Sequence, residues 1–83
     1  MNKREFEREI KVALQKYEWA DVELSTGDTI YANGYENSEY AVDSVWLLCN
    51  KERIALIDFI NITRLNYWIW KINVVVSIVK SRR

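Results

Sequence analysis

The sequence predicts a mainly β domain that opens with one α-helix. Three observations lead there: an apolar stripe at helical spacing confined to the first seventeen residues, a switch to alternating apolar and polar positions after Trp19, and a second alternating run from Trp68 onward. At 83 residues, 49% apolar and 29% charged, with no proline and two glycines, the chain is one folding unit rather than two, and neither disordered nor low-complexity. Such a length buries roughly two-thirds of its unfolded surface, enough for a single core.

Asn2 followed three residues later by Glu5 is a capping box, in which each side chain satisfies a free amide of the first helical turn. The helix is expected over 2–17. Phe6, Ile10, Ala13, Leu14 and Tyr17 share one face of it, and Lys, Arg and Glu cover the rest as a solvated surface. Beyond Trp19, Val22 and Leu24 alternate with Asp21, Glu23 and Ser25. With Thr26-Gly27-Asp28 as the turn, Ala20–Ser25 and Thr29–Tyr35 read as a hairpin. Asn33-Gly34 has two readings, a hairpin turn or a bend within a strand. The polar loop Glu36–Glu39 precedes a strand over Val42–Cys49, and Asn50-Lys51-Glu52 turns the chain into the β-branched stretch Arg53–Leu65. Strands are thus expected within 20–65.

From 67 to 79 the pattern is a strand with one wholly apolar face, Trp68, Trp70, Ile72, Val74, Val76 and Ile78 holding every even position. The twelve residues Trp68 to Val79 at about 3.3 Å each reach about 40 Å, more than so small a domain covers by itself. Either this strand bends with a sheet and stays inside the fold, or part of it pairs outside its own subunit. The second is the expectation, because an exposed apolar strand in a monomer invites aggregation, and it makes Trp68, Trp70, Ile72, Val74 and Val76 the candidate oligomer interface. The run is short of the roughly twenty residues a spanning helix needs, and Lys71 and Asn73 interrupt it, so no membrane segment is expected. Met1–Lys11 is charged throughout and is no secretory signal, so a cytoplasmic protein is expected.

Twelve basic and twelve acidic residues cancel, which removes the global basic excess of a simple electrostatic nucleic-acid binder. The cancellation is between blocks. Residues 1–17 hold five basic and three acidic side chains, 18–48 hold seven acidic and none basic, and the remainder holds seven basic and two acidic. Either the blocks interleave in the fold to give a mixed surface, or the molecule is bipolar and offers an acidic face to a basic partner. Histidine is absent and Cys49 is the single cysteine, which excludes His-based triads, His-based zinc sites and an internal disulfide. No Gly-rich phosphate loop or catalytic carboxylate spacing occurs, so no enzyme, metal or cofactor is expected. Asp58, set in an apolar run, is better explained by a strand-breaking bulge or by a hydrogen bond to a turn than by catalysis.

Val22-Glu23-Leu24-Ser25-Thr26-Gly27-Asp28-Thr29-Ile30 resembles the opening strand, glycine turn and second strand of the Sm-like barrels, the family of bacterial Hfq. Val42-Asp43-Ser44-Val45-Trp46-Leu47-Leu48 resembles that family's apolar-Asp-polar-apolar motif, and Ile54–Leu65 its second motif. The resemblance covers roughly residues 5–65. It implies an SH3-like, strongly bent five-stranded barrel that assembles into rings, here with a long extra C-terminal strand. The family's RNA-stacking ring falls at Val45, with Trp46 one step off and on the opposite face by alternation. The basic pair of the second motif has no counterpart near Asp58-Phe59, so the uridine site does not carry over.

Two functions follow as expectations. The first is a non-catalytic, self-associating barrel that uses Tyr35, Glu36, Glu39, Tyr40 and Asp43 to bind a basic protein surface, as small inhibitors or adaptors of phages and mobile elements would. The second is an Sm-like oligomer that binds RNA or a nucleotide through Arg64, Trp68, Trp70 and Lys71.

Overall fold

The computed structural model of the chain describes residues 1–67. Beyond Tyr67, the expected C-terminal strand and the interface residues Trp68, Trp70, Ile72, Val74 and Val76 lie outside the described residues.

Helix α1 spans Lys3–Lys16. The capping box that starts it is formed: Asn2 Oδ1 accepts from the Glu5 amide at 2.8 Å, and Glu5 Oε1 accepts from the Asn2 amide at 3.5 Å. Phe6, Ile10 and Ala13 are fully buried and Leu14 and Tyr17 half-buried, which is the expected stripe. The helix stops at Tyr17 because Glu18 turns left-handed, at φ +69°.

Six strands follow: β1 (Ala20–Leu24), β2 (Thr29–Ala32), β3 (Gly34–Asn37), β4 (Ser44–Cys49), β5 (Glu52–Asp58) and β6 (Ile62–Asn66). They make two antiparallel three-stranded sheets, in the orders β2-β1-β6 and β3-β4-β5. The first turn is as expected. Gly27 sits at φ +93°, where a side chain would be strained, and its amide donates to the Leu24 carbonyl.

Asn33-Gly34 is a bend, not a hairpin turn. β2 pairs with β1, β3 pairs with β4, and the Asn33 amide continues the ladder across the corner by donating to the Leu48 carbonyl at 3.0 Å. A Cβ at Gly34 would meet the Leu48 side chain at 3.4 Å, an ordinary van der Waals contact, so the pairing of β3 with β4 sets the corner. The hairpin turn lies instead at Asn50-Lys51, both left-handed, at φ +52° and +72°. Cys49 and Glu52 pair across it, the geometry of a two-residue primed turn.

The stretch Arg53–Leu65 is two strands rather than one. A 3₁₀ turn at Phe59–Asn61 interrupts it and buries Phe59, and it sends β6 to pair with β1 instead of running beside β5. β5 and β6 are therefore not paired with each other, and among the described residues the sheets do not close into a barrel. Register shifts at Glu23/Leu24 and at Leu47/Leu48 bend each sheet further.

One core joins the helix to both sheets. Phe6 meets Tyr35 edge-on, with ring centroids 5.7 Å apart, and Phe59 at 5.4 Å, while Val22, Val45, Leu47 and Ile62 are fully buried around it. At the other end of the helix Tyr67 packs on Tyr17 and donates its hydroxyl to Glu9 Oε2 at 3.1 Å. No helix among the described residues is long and apolar enough to cross a membrane.

Candidate interaction face

Strand alternation decides which side chains can meet on the second sheet. In register, Glu36 lies opposite Trp46 and Trp46 opposite Leu56, so these three share a row on the face turned away from the core. Tyr35 lies opposite Leu47 in the adjacent row and turns inward, against Phe6. Val45 is fully buried and Trp46 half-buried, so the only ring of this strand faces outward.

The register slip at Leu47/Leu48 sets Arg53 opposite Leu48, at the head of β5. From there its guanidinium reaches back over Trp46, 4.8 Å from the ring centroid. Arg53 Nε and Nη2 donate to Glu36 Oε2 at 3.1 and 3.0 Å, and Nη1 and Nη2 donate to the two oxygens of Glu39 at 2.9 and 3.3 Å. One cation thus brackets two carboxylates above an indole. Its hydrogen bonds to Glu36 and then Glu39 raise the Arg53 pKa further.

Glu39 is brought in by the β3–β4 loop. Ser38 Oγ accepts from the Tyr40 amide at 3.0 Å and from the Ala41 amide at 3.4 Å, a local turn that leaves Tyr40 on the outside. The Glu39 carboxyl is held below the ordinary carboxylate range, first by a hydrogen bond from its own backbone amide and then by Arg53. Trp46 contributes weakly to the same shift, yet its buried Nε1 makes no hydrogen bond of normal geometry. Leu56, in this row, and Ile54, two residues before it, are exposed, so the face has an apolar centre and a charged margin.

Of the residues expected to form an acidic surface, the structure brings Glu36 and Glu39 together, with Tyr40 exposed on the same loop. Tyr35 is on the core side. Asp43 accepts the Phe59 amide through its carbonyl, and its side chain lines an open hollow of about 550 Å³ with Val42 and Ile60, which are 84% and 82% exposed. Asp58 caps the 3₁₀ turn by position but makes no side-chain capping hydrogen bond.

Among the described residues the charge blocks interleave. Arg53 neutralises one charge of the Glu36–Glu39 pair, and Arg64 Nε donates to Glu23 Oε2 at 2.8 Å, so the two described arginines of the basic block both pair into the acidic one. Glu23 also accepts from Asn66 Nδ2 at 3.1 Å, and its pKa is lowered by hydrogen bonds from Arg64 and Asn66. Arg64, expected to serve a nucleotide, is thereby engaged on the first sheet, while Trp68, Trp70 and Lys71 lie outside the described residues. Sequence reasoning missed Arg53, Trp46, Ile54 and Leu56 as site residues. Only strand pairing could have found them, since Arg53 stands 17 and 14 residues from its carboxylates. Among the described residues no group of three His, Cys, Asp or Glu side chains is placed to hold a metal ion. No known protein family, curated protein or solved structure matches the chain.

Proposed function

We propose that the protein is a non-catalytic, Sm-like binding module that self-associates and holds a basic partner protein on the outer face of β3-β4-β5. The observation that carries the reading is the Arg53 bracket over Trp46. It orders Glu36, Glu39 and the β3–β4 loop before any partner arrives, which removes part of the ordering cost of binding. Two carboxylates against one guanidinium leave one negative charge beside Trp46, Ile54 and Leu56, and that combination suits a partner presenting an apolar anchor flanked by Lys or Arg.

The Sm-like assignment draws support from the path of the chain: a helix, then β1, a strand bent at Asn33, β4, β5, and a 3₁₀ turn that returns β6 to β1. Self-association draws support from β5 and β6, which each end a sheet among the described residues and present unpaired ladder groups there. The nucleotide reading stands second, because Arg64 is already committed to Glu23.

Native mass spectrometry of gently purified protein tests the assembly, and titration with a lysine-rich, arginine-free peptide carrying an apolar anchor residue tests the face. A ligand-free oligomer that binds the peptide, and loses it in the double variant Glu36→Lys with Glu39→Lys, supports the proposal. A particle carrying RNA or nucleotide mass, or peptide binding unchanged in that double variant, overturns it in favour of the second reading.

A further inference from the structure

The outer face of the other sheet carries a second set of groups, independent of the Arg53 bracket and of the function proposed for it. β-pairing places Tyr31, Asp21 and Asn66 in one row across β2, β1 and β6, and Thr29, Glu23 and Arg64 in the next. Residues in one row of a twisted antiparallel sheet have Cβ atoms about 5 Å apart, close enough for one ligand group to touch all three.

Each member of the first row is free in a particular way. The Tyr31 ring stacks parallel on Trp19, at 5.8 Å and 13° between planes; Trp19 is 8% exposed and Tyr31 49%. One ring face is thus backed by a buried indole while the other meets solvent. Asp21 is half-buried and no described cation pairs with it, although Glu23, Glu36 and Glu39 each have an arginine. Asn66 donates Nδ2 to Glu23, and that bond fixes its amide and leaves Oδ1 as an acceptor. An aromatic face, a carboxylate that no described cation compensates and an amide oxygen are three acceptors for one planar cation. Burial also raises the Asp21 pKa.

We propose that Tyr31, Asp21 and Asn66 form a receptor for the guanidinium of an arginine side chain presented by a partner protein, the plane lying on the Tyr31 ring and the N–H fork reaching Asp21 and Asn66 Oδ1. The protein contains the same arrangement, already filled, on its second sheet. There Arg53 lies on Trp46 and is held by Glu36 and Glu39. On the first sheet Arg64 does not fill the place, because Glu23 holds it one row away. Two carboxylates and one guanidinium across the two rows leave one negative charge, which favours a cation over a phosphate. Arginine is preferred to lysine because a flat, delocalised cation stacks and forks, whereas an ammonium is a hydrated point charge.

The test is a nuclear magnetic resonance titration of the full chain with N-acetyl-arginine methylamide, and with the lysine analogue for comparison. Saturable shifts of the Tyr31 ring and of the Asp21 and Asn66 amides are expected, at least tenfold weaker with lysine. Asp21→Asn and Tyr31→Leu should each weaken binding at least tenfold, while Tyr31→Phe and the double variant Glu36→Lys with Glu39→Lys leave it unchanged. No saturable shifts, equal affinity in Asp21→Asn, or shifts confined to β3-β4-β5 would overturn the assignment. Because the Glu36 and Glu39 variants probe only the other sheet, failure here and failure of the proposed function are separate results.

Discussion

Asn33 and Asn50 grip one another at the corner of the fold. Asn33 Nδ2 donates to Asn50 Oδ1 at 2.9 Å, and the Asn50 amide donates to Asn33 Oδ1 at 2.8 Å. The bend that hands the chain from one sheet to the other is therefore tied to the turn that starts β5 and delivers Arg53 to its carboxylates. Asn33→Ala removes both bonds and leaves an amide without its partner. We expect it to lower stability by roughly 1–2 kcal/mol in urea unfolding. An unchanged midpoint would show that water replaces the grip without loss.

The same turn makes a contrasting pair of substitutions. Lys51 is held at φ +72° with nothing to recommend a side chain there, so Lys51→Gly should stabilise by about 1 kcal/mol. Asn50 is left-handed too, but Asn50→Gly gives up its side-chain acceptor for Asn33 and should show no such gain. Unfolding curves of the two variants, measured together, separate backbone relief from the side-chain link.

Glu18 presents the backbone problem at a helix end. It is left-handed at φ +69°, and a negative charge beside a helix C-terminus is also unfavourable. Glu18→Gly should gain roughly 0.5–1 kcal/mol, seen as a rise of a few degrees in the thermal midpoint.

Acid should act on individual carboxylates with opposite signs, even within β1. The pKa values of Glu23 and Glu39 are lowered in the fold, so their contribution is present above the ordinary carboxylate pKa and is lost as pH falls through the folded values. Asp21 has a raised pKa, so it opposes folding in full above that value, and the penalty fades as the pH falls from it to the ordinary carboxylate pKa. Asp21→Asn should consequently be more stable than the parent at neutral pH and indistinguishable from it in acid. Stability measured against pH for both proteins checks the sign directly.

Phe6 is where helix, second sheet and 3₁₀ turn meet, through Tyr35 and Phe59. Phe6→Ala leaves a cavity at a fully buried position and should cost about 3–5 kcal/mol. A domain of this size has roughly 4–12 kcal/mol in all, so that variant should be marginal or unfolded by circular dichroism, whereas Phe6→Leu keeps the fold.

The local features of this chain are legible in its order of residues. Asn2 and Glu5 are three apart and must meet if a helix forms; Gly27 sits where only a left-handed turn connects two alternating runs; Val45 and Trp46 are neighbours in a strand and must face opposite ways. Each depends on the backbone's own periods of 3.6 and 2, which a linear sequence carries. The break in Arg53–Leu65 at Phe59 and the choice of a bend at Asn33-Gly34 were not legible, because apolar runs and glycines allow either outcome until a partner strand is present.

The sequence by itself determined the helix, its buried stripe, the alternation of the strands and the absence of His-based chemistry, since these follow from neighbouring residues and composition. Only the tertiary structure decided which strands pair, that the charge blocks interleave among the described residues, that Arg53 brackets Glu36 and Glu39 over Trp46, and that Asp21 is left beside Tyr31 without a described cation. Those depend on register between segments distant in the chain, and register is chosen by the shared core and by the ladder hydrogen bonds, not by any one segment alone.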